Sequence, residues 1–315
     1  MSPNATFAVI IPVGPSAVDL ARGAALLSCL VYWEPQVRWC IILDNSVMNR
    51  GLAELPYVPT TCQVVTLTTS QRYTGHSWGG VLTSRVLSAF AYVQAHTDAA
   101  FALRIDTDAL VIAPFVNKIS SLLAQRPFAG LVGTVGLSCN PLIRAHDDLT
   151  RTPKLLSLHR LLPRDTLHDE SAASDIHVHD LGTLSTAQQS AFQLLRGHID
   201  HAVQHGYSTS EFCQGGGYVV TRLMLDRMSA AGYLQSAESW KILPFSEDRV
   251  VAMYTRAVGL EMYDCSRQNE PFGMNHVGLA YPPDTLRARG HSIIHSVRND
   301  PRFDEASIRR FFATL

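Results

Sequence analysis

Short apolar runs alternate with longer amphipathic stretches through the first half of the chain, the pattern of parallel strands joined by crossover helices. The runs Phe7 to Pro12, Val37 to Asp44, Cys62 to Leu67, Phe101 to Ile105 and Ala129 to Val135 predict strands. Helices are predicted between them over Ala17 to Trp33, Ser77 to His96 and Pro114 to Gln125, the last with proline in its first turn. From Ser138 to about Ser210 the periodicity weakens, histidines and charges become dense, and only Leu184 to His205 reads as a helix. Beyond it come a glycine turn at Gly215-Gly216-Gly217, an apolar strand over Tyr218 to Thr221, a helix from Arg222, another around Glu247 to Val258, and a polar tail. The organisation expected is a nucleotide-binding α/β half over 1–137, a variable, acceptor-facing insertion over 138–210, and a second half of the same domain over 211–315.

Composition narrows the function. A chain of 315 residues with 46% hydrophobic content can bury a sizeable core. Its 26 basic and 27 acidic side chains nearly cancel, which leaves no field for holding nucleic acid or an acidic membrane surface. An anionic ligand must then be held locally, by a metal, a helix N-terminus or a few arginines. The cysteines, Cys29, Cys40, Cys62, Cys139, Cys213 and Cys265, form no C-x-x-C pair and read as reduced core thiols. Phe7 to Ile11 is too short for a signal h-region or a membrane span. A soluble, cytoplasmic and bacterial protein is expected, and peripheral contact with a membrane face stays open.

In sheets of this kind ligands gather beyond the carboxyl ends of the strands. Three segments fall there: Pro12-Val13-Gly14, Asp44-Asn45-Ser46 and Asp106-Thr107-Asp108. The last follows the apolar run Phe101 to Ile105, where two carboxylates need partners if buried. Hard oxygens in that position suit Mg²⁺ or Mn²⁺ with a bound diphosphate; alternatively, the acids cap the following turn.

Read with three other patches, the D-x-D resembles that of the glycosyltransferase A fold, a family of nucleotide-sugar-dependent enzymes. The glycine-rich Gln214-Gly215-Gly216-Gly217-Tyr218, the acidic Ser246-Glu247-Asp248 at a helix start, and His295 in Ile293-Ile294-His295-Ser296 follow in the family's order. The resemblance implies a Rossmann-like α/β fold whose mixed central sheet is flanked by helices. It also implies a hexosyl- or N-acetylhexosaminyl-transferase that uses a UDP-sugar or another nucleotide diphosphate sugar, with Mn²⁺ or Mg²⁺ as cofactor. Asp106 takes the ribose, and Asp108 and His295 hold the metal. Asp248 is the catalytic base, with Glu247 orienting the acceptor. Asp44 reads the base, bordered by Pro12, Val13 and Arg72; Gly216 and Gly217 let backbone approach the sugar or phosphate, and Arg298 aids the diphosphate. The acceptor is a glycan, glycolipid or small molecule, and inversion at the anomeric carbon is expected.

Each element has an ordinary structural alternative: a tight turn for the glycines, macrodipole acids for Glu247 and Asp248, a hydrogen-bonded core histidine for His295, an Asx turn for Asp44. His177-Val178-His179-Asp180 has metal-like composition but no third spaced partner. The main rival is Gly75-His76-Ser77-Trp78-Gly79, a G-x-S-x-G sequence like the nucleophile elbow of serine hydrolases, but it follows the polar Gln71-Arg72-Tyr73-Thr74 rather than a buried strand. A sugar nucleotidyltransferase would need a glycine-rich donor loop after the first strand, which Pro12 and Pro15 interrupt. A non-catalytic carbohydrate-binding relative is disfavoured because every expected acid is present.

Overall fold

The structure, a computed structural model, describes residues 5–45, 61–68, 78–135, 186–207, 211–242 and 246–313. Its centre is a seven-stranded mixed sheet. In chain order the elements are β1 (Phe7–Val13), α1 (Ala17–Trp33), β2 (Trp39–Asp44), β3 (Gln63–Thr68), α2 (Trp78–His96), β4 (Phe101–Ile105), β5 (Leu110–Val111), α3 (Val116–Gln125) and β6 (Ala129–Val135). There follow α4 (Thr186–Gln204), β7 (Cys213–Thr221), α5 (Arg222–Ala230), a 3-10 helix (Ala237–Ile242), α6 (Glu247–Ala257), β8 (Glu261–Asp264), β9 (Phe272–Met274), α7 (Pro283–Ala288), β10 (Ile293–His295) and α8 (Glu305–Ala313).

The large sheet has the order β3-β2-β1-β4-β7-β6-β8. Strands β1 to β4 pair in parallel, as does β8 with β6, while β7 runs antiparallel to both its neighbours. Side chains alternate across the pleat and feed two cores. Phe7, Val9 and Ile11 of β1 and Phe101, Leu103 and Ile105 of β4 pack on one face with Leu26 and Leu30 of α1 and Ile119 of α3. Ala8, Ile10 and Ala102 face the other way, toward α2, α4, α5 and α6. Nearly every strand residue of β1, β2 and β4 is buried, as expected for parallel strands covered on both sides.

The predicted spans of α1, β4 and β6 are the observed ones. Helix α1 is fixed by a capping box, in which the Ser16 hydroxyl accepts from the Asp19 amide at 3.1 Å and the Asp19 carboxylate accepts from the Ser16 amide at 3.3 Å. Three readings change. Helix α3 begins at Val116, after Pro114, and its N-cap Phe115 offers no side-chain cap. Buried Glu34 caps it from outside: one carboxylate oxygen accepts from the amides of Phe115 and Val116, the latter at 2.8 Å. The glycine triplet is not a turn before a strand but lies within β7. The segment read as a polar tail builds β8, β9, β10 and α7, and its strands β9 and β10 join β5 in a second sheet of order β5-β10-β9. That sheet buries a third cluster around Leu110, Leu286, Ile294 and Val297. No helix among the described residues is long and apolar enough to cross a membrane.

Replacing Glu34 by alanine leaves two buried amides at the start of α3 without an acceptor, at a cost of about 1–3 kcal/mol. Glu34→Gln keeps one oxygen and should lose less. Urea denaturation checks this, with the midpoint falling further for alanine and the slope unchanged.

Candidate active site

The carboxyl ends of β1, β2 and β4 and the glycine stretch of β7 meet along one edge of the large sheet. Because β7 is antiparallel to β4, its early residues lie beside β4's last ones. Ile105 is paired with Gly217, and the Asp106 amide donates to the Gly216 carbonyl at 3.1 Å. The chain then turns through Asp106-Thr107-Asp108 into β5, whose antiparallel partner β10 ends at His295. The Val297 amide donates to the Asp108 carbonyl at 2.9 Å, extending that pairing past the end of the strand. Strand register is therefore what carries His295 to Asp108.

Asp106, Asp108 and His295 offer ligand atoms within 4.8 Å of one another. His295 Nε2 lies 3.2 Å from Asp108 Oδ1, Arg298 Nε lies 3.2 Å from Asp108 Oδ2, and the Ser296 hydroxyl donates to Oδ2 at 2.8 Å. Burial alone would raise the Asp108 pKa, but His295, Ser296 and Arg298 outweigh it and hold the carboxyl well below the usual range. His295 Nδ1 sits 2.7 Å from the Asn275 carbonyl, which can only accept, so Nδ1 carries a proton and Nε2 faces the acids. That outer hydrogen bond is the arrangement that orients a histidine for a cation. Burial works against protonating His295, yet neighbouring Asp108 raises its pKa overall.

Two hard carboxylates and one oriented imidazole suit a divalent cation such as Mn²⁺ or Mg²⁺. Space has also been left for the imidazole. A Cβ on Gly216 would lie 2.4 Å from the His295 ring, so glycine is required there by the histidine itself. Gly217 would meet only the flexible end of Met274, at 3.0 Å, and Gly215 the carboxylate of Glu247, at 3.4 Å.

The acidic pair opens α6 as the sequence suggests. Glu247 is buried at 5% exposure, whereas Asp248 is half-buried and accepts from the Arg249 amide at 2.9 Å. The residue that sequence reading missed is Arg104. It lies on β4 at 1% exposure, and its Nη2 is 3.0 Å from Asp106 Oδ1 and 3.0 Å from Glu247 Oε1. The signal was present in Phe101-Ala102-Leu103-Arg104-Ile105, since a cation inside a fully buried strand must have anions near it. For Asp106, burial raises the pKa more than Arg104 lowers it. Burial likewise pushes Glu247 up, to about 8, against the pull of Arg104.

Other predicted residues stand further along the edge. Val13 and Asp44 are buried register partners at the ends of β1 and β2, and the Asp44 carbonyl accepts from Arg85 at 2.9 Å. Pro12 precedes them on β1. Strand β2 is two strands from β4, about 10 Å away, a span a nucleotide can bridge. Arg298 remains half exposed, so its contact with Asp108 contributes little to stability. Arg72, the His177 to Asp180 cluster, Cys139, and Gly75, His76 and Ser77 of the serine elbow lie outside the described residues; the other five cysteines are free thiols. A separate cavity of about 700 Å³ beside α2, lined by Arg85, Tyr92, His96 and Lys241 among others, shares no residue with the carboxylate cluster.

No protein-family model matches the chain, and a search of curated proteins finds no match. Among solved structures, one described as the apo form of the WbbM bifunctional glycosyltransferase is similar over 98% of this chain, at 10% identity and a TM-score of 0.49. This chain covers 49% of that structure's length.

Two outcomes follow from the geometry. Gly216→Ala should displace His295 and weaken Mn²⁺ binding by about tenfold or more, as loss of a supporting contact does at metal sites; titration followed by the paramagnetic resonance of free Mn²⁺ checks it. Glu247 keeps its proton in the folded chain up to about pH 8, whereas its unfolded pKa is 4.5. Between those values the unfolded state binds fewer protons, so this residue makes stability fall as pH rises. Glu247→Gln should remove that descent, seen as a flatter plot of urea midpoint against pH from 5 to 8.

Proposed function

We propose that the chain is a metal-dependent glycosyltransferase that moves a sugar from a nucleotide diphosphate donor, a UDP-sugar in the first instance, to an acceptor hydroxyl with inversion. The observation that carries this reading is the convergence of Asp106, Asp108 and His295 at the carboxyl ends of the central strands, with Gly216 cut back to admit the imidazole. Asp108 and His295 would hold the cation, which when bound would supply Lewis acidity toward a diphosphate leaving group.

The chain's own groups do the remaining work. Asp106, with 26% of its side chain exposed, is open to the donor ribose, and half-exposed Arg298 can turn toward a phosphate. In this reading Pro12, Val13 and Asp44, at the ends of β1 and β2, border the base, and Arg72, outside the described residues, is assigned there from the sequence resemblance alone. Asp248 occupies the first turn of α6 next to Gly215, whose added Cβ would stand 3.7 Å from that of Asp248. It is reachable from solvent, as a base for an incoming hydroxyl must be. In the displacement, the acceptor oxygen bonds to the anomeric carbon as the bond from that carbon to the diphosphate oxygen breaks. The bonding pair leaves with the nucleotide, and the hydroxyl proton passes to the Asp248 carboxylate. Glu247, buried beneath, orients the acceptor side, and Gly216 and Gly217, lacking Cβ atoms, let backbone approach the sugar or phosphate. The rival serine elbow gains nothing from this arrangement, because the His295 imidazole lies between Asp108 and the Asn275 carbonyl.

A panel of UDP-, GDP-, dTDP- and CMP-sugars assayed for Mn²⁺-dependent hydrolysis tests the reading. Metal-dependent release of the nucleotide supports it, and cleavage of simple esters without metal would favour the serine nucleophile instead. Asp248→Asn should lower turnover by roughly 10² to 10⁴ with donor affinity nearly unchanged. Asp108→Ala should abolish the EDTA-sensitive part of donor binding in calorimetry. The anomeric coupling of the product, read by proton NMR, decides between inversion and retention.

A further inference from the structure

The least economical residue in the centre of the molecule is Arg104. A guanidinium at 1% exposure on the middle strand of a sheet has surrendered its hydration, and an apolar residue there would commonly give an equally or more stable protein. Its Nε and Nη1 find no hydrogen-bond partner among the described residues, and the Tyr218 ring lies 5.8 Å away. Among the described residues its charged contacts run through Nη2, 3.0 Å from Asp106 Oδ1 and 3.0 Å from Glu247 Oε1, the latter an ion-pair contact without hydrogen-bond geometry. Those carboxylates belong to the two sides of the proposed reaction. Asp106 stands on the turn that bears the metal ligand Asp108, and Glu247 precedes Asp248 in the first turn of α6.

Resting on the transferase reading, we infer that Arg104 is a positioning residue that ties the donor carboxylates after β4 to the N-terminus of α6, fixing the distance between the leaving group and the base. It touches neither substrate, and acts by holding Asp106 and Glu247. Orientation of this kind is worth much in rate, since a small misplacement of reacting groups costs about 10²-fold. With both pairings leaving from a single nitrogen, the geometry asks for a point cation rather than a planar fork. Lysine should therefore serve in part, although arginine and lysine are not interchangeable where two guanidinium nitrogens are engaged.

The test uses Arg104→Lys, Arg104→Met, Glu247→Gln and the double variant Arg104→Met with Glu247→Gln. Arg104→Met alone leaves Asp106 and Glu247 without their buried partner and can fail to fold; in the double variant the neutral amide at position 247 cannot become an unpaired buried charge, which guards against that outcome. Each folded variant is measured for Mn²⁺ binding by the paramagnetic resonance of free Mn²⁺, for thermal midpoint, and for Mn²⁺-dependent cleavage of the nucleotide-sugar panel with kcat and KM separated. The expectation is that the double variant binds Mn²⁺ within about threefold of Glu247→Gln while its kcat falls about 10²-fold below that of Glu247→Gln alone. Arg104→Lys, with Glu247 intact, should keep kcat within about tenfold of wild type. If the double variant turns over like Glu247→Gln alone, or if its kcat falls only in step with Mn²⁺ affinity and thermal midpoint, or if Arg104→Lys loses as much as the double variant, Arg104 is not a positioning residue. A wild-type chain that binds Mn²⁺ but cleaves no nucleotide sugar overturns the transferase reading itself, and this inference falls with it.

Discussion

A carboxylate at the end of a buried strand must find partners, and the way Asp108 finds them organises the site. Among the described residues, the side chains that pair or hydrogen-bond with its carboxylate come from His295, Ser296 and Arg298. They reach it because β5, two residues long, pairs with β10 immediately after the acidic turn. The small sheet is thus a clamp that brings a late segment of the chain against an early one. Its own cluster around Leu110, Ile294 and Val297 gives the clamp a hydrophobic foundation independent of the charges. Register errors would be costly here, since a shift of one residue would turn His295 away from the acids.

The antiparallel strand β7 solves a second problem. A wholly parallel sheet would set the carboxyl end of β4 beside the carboxyl end of another strand. Reversal places there a strand beginning instead, and the three residues that lack side chains fall level with Ile105 and Asp106. The close approach of Gly216 to the His295 ring explains one of the three glycines on steric grounds; the other two face more yielding neighbours.

Much of the fold was legible because parallel strands buried on both faces are written as continuous apolar runs. Phe101 to Ile105 and Ala129 to Val135 were bounded to the residue, as was α1 through Ser16 and Asp19. What escaped depended on contacts between segments remote in sequence. The proline rule for a first helical turn misplaced α3, since the acceptor that caps it is Glu34, on a different element. The glycine triplet looked like a turn because glycine disfavours strands, a preference overridden where the neighbouring imidazole leaves no room for a side chain. Strands of two and three residues in β5, β9 and β10 carry too little periodicity to be seen. Of the candidate site, the acids, the glycines and His295 were nameable by type and order. Arg104 was overlooked because attention fell on the carboxylates after the strand rather than on the cation within it.

The clamp also sets a timetable. A chain leaving the ribosome displays Asp106 and Asp108 long before His295 has been synthesised, so the acids pass through early folding without their imidazole. The parallel pairing of β1 to β4 uses no residue beyond Ile105, although the face that carries Ala8, Ile10 and Ala102 is covered only once α4, α5 and α6 are in place. The cluster of Asp106, Asp108 and His295 waits for the last of the three. The candidate cation cluster is therefore completed late, by a segment made almost two hundred residues after the two acids it joins.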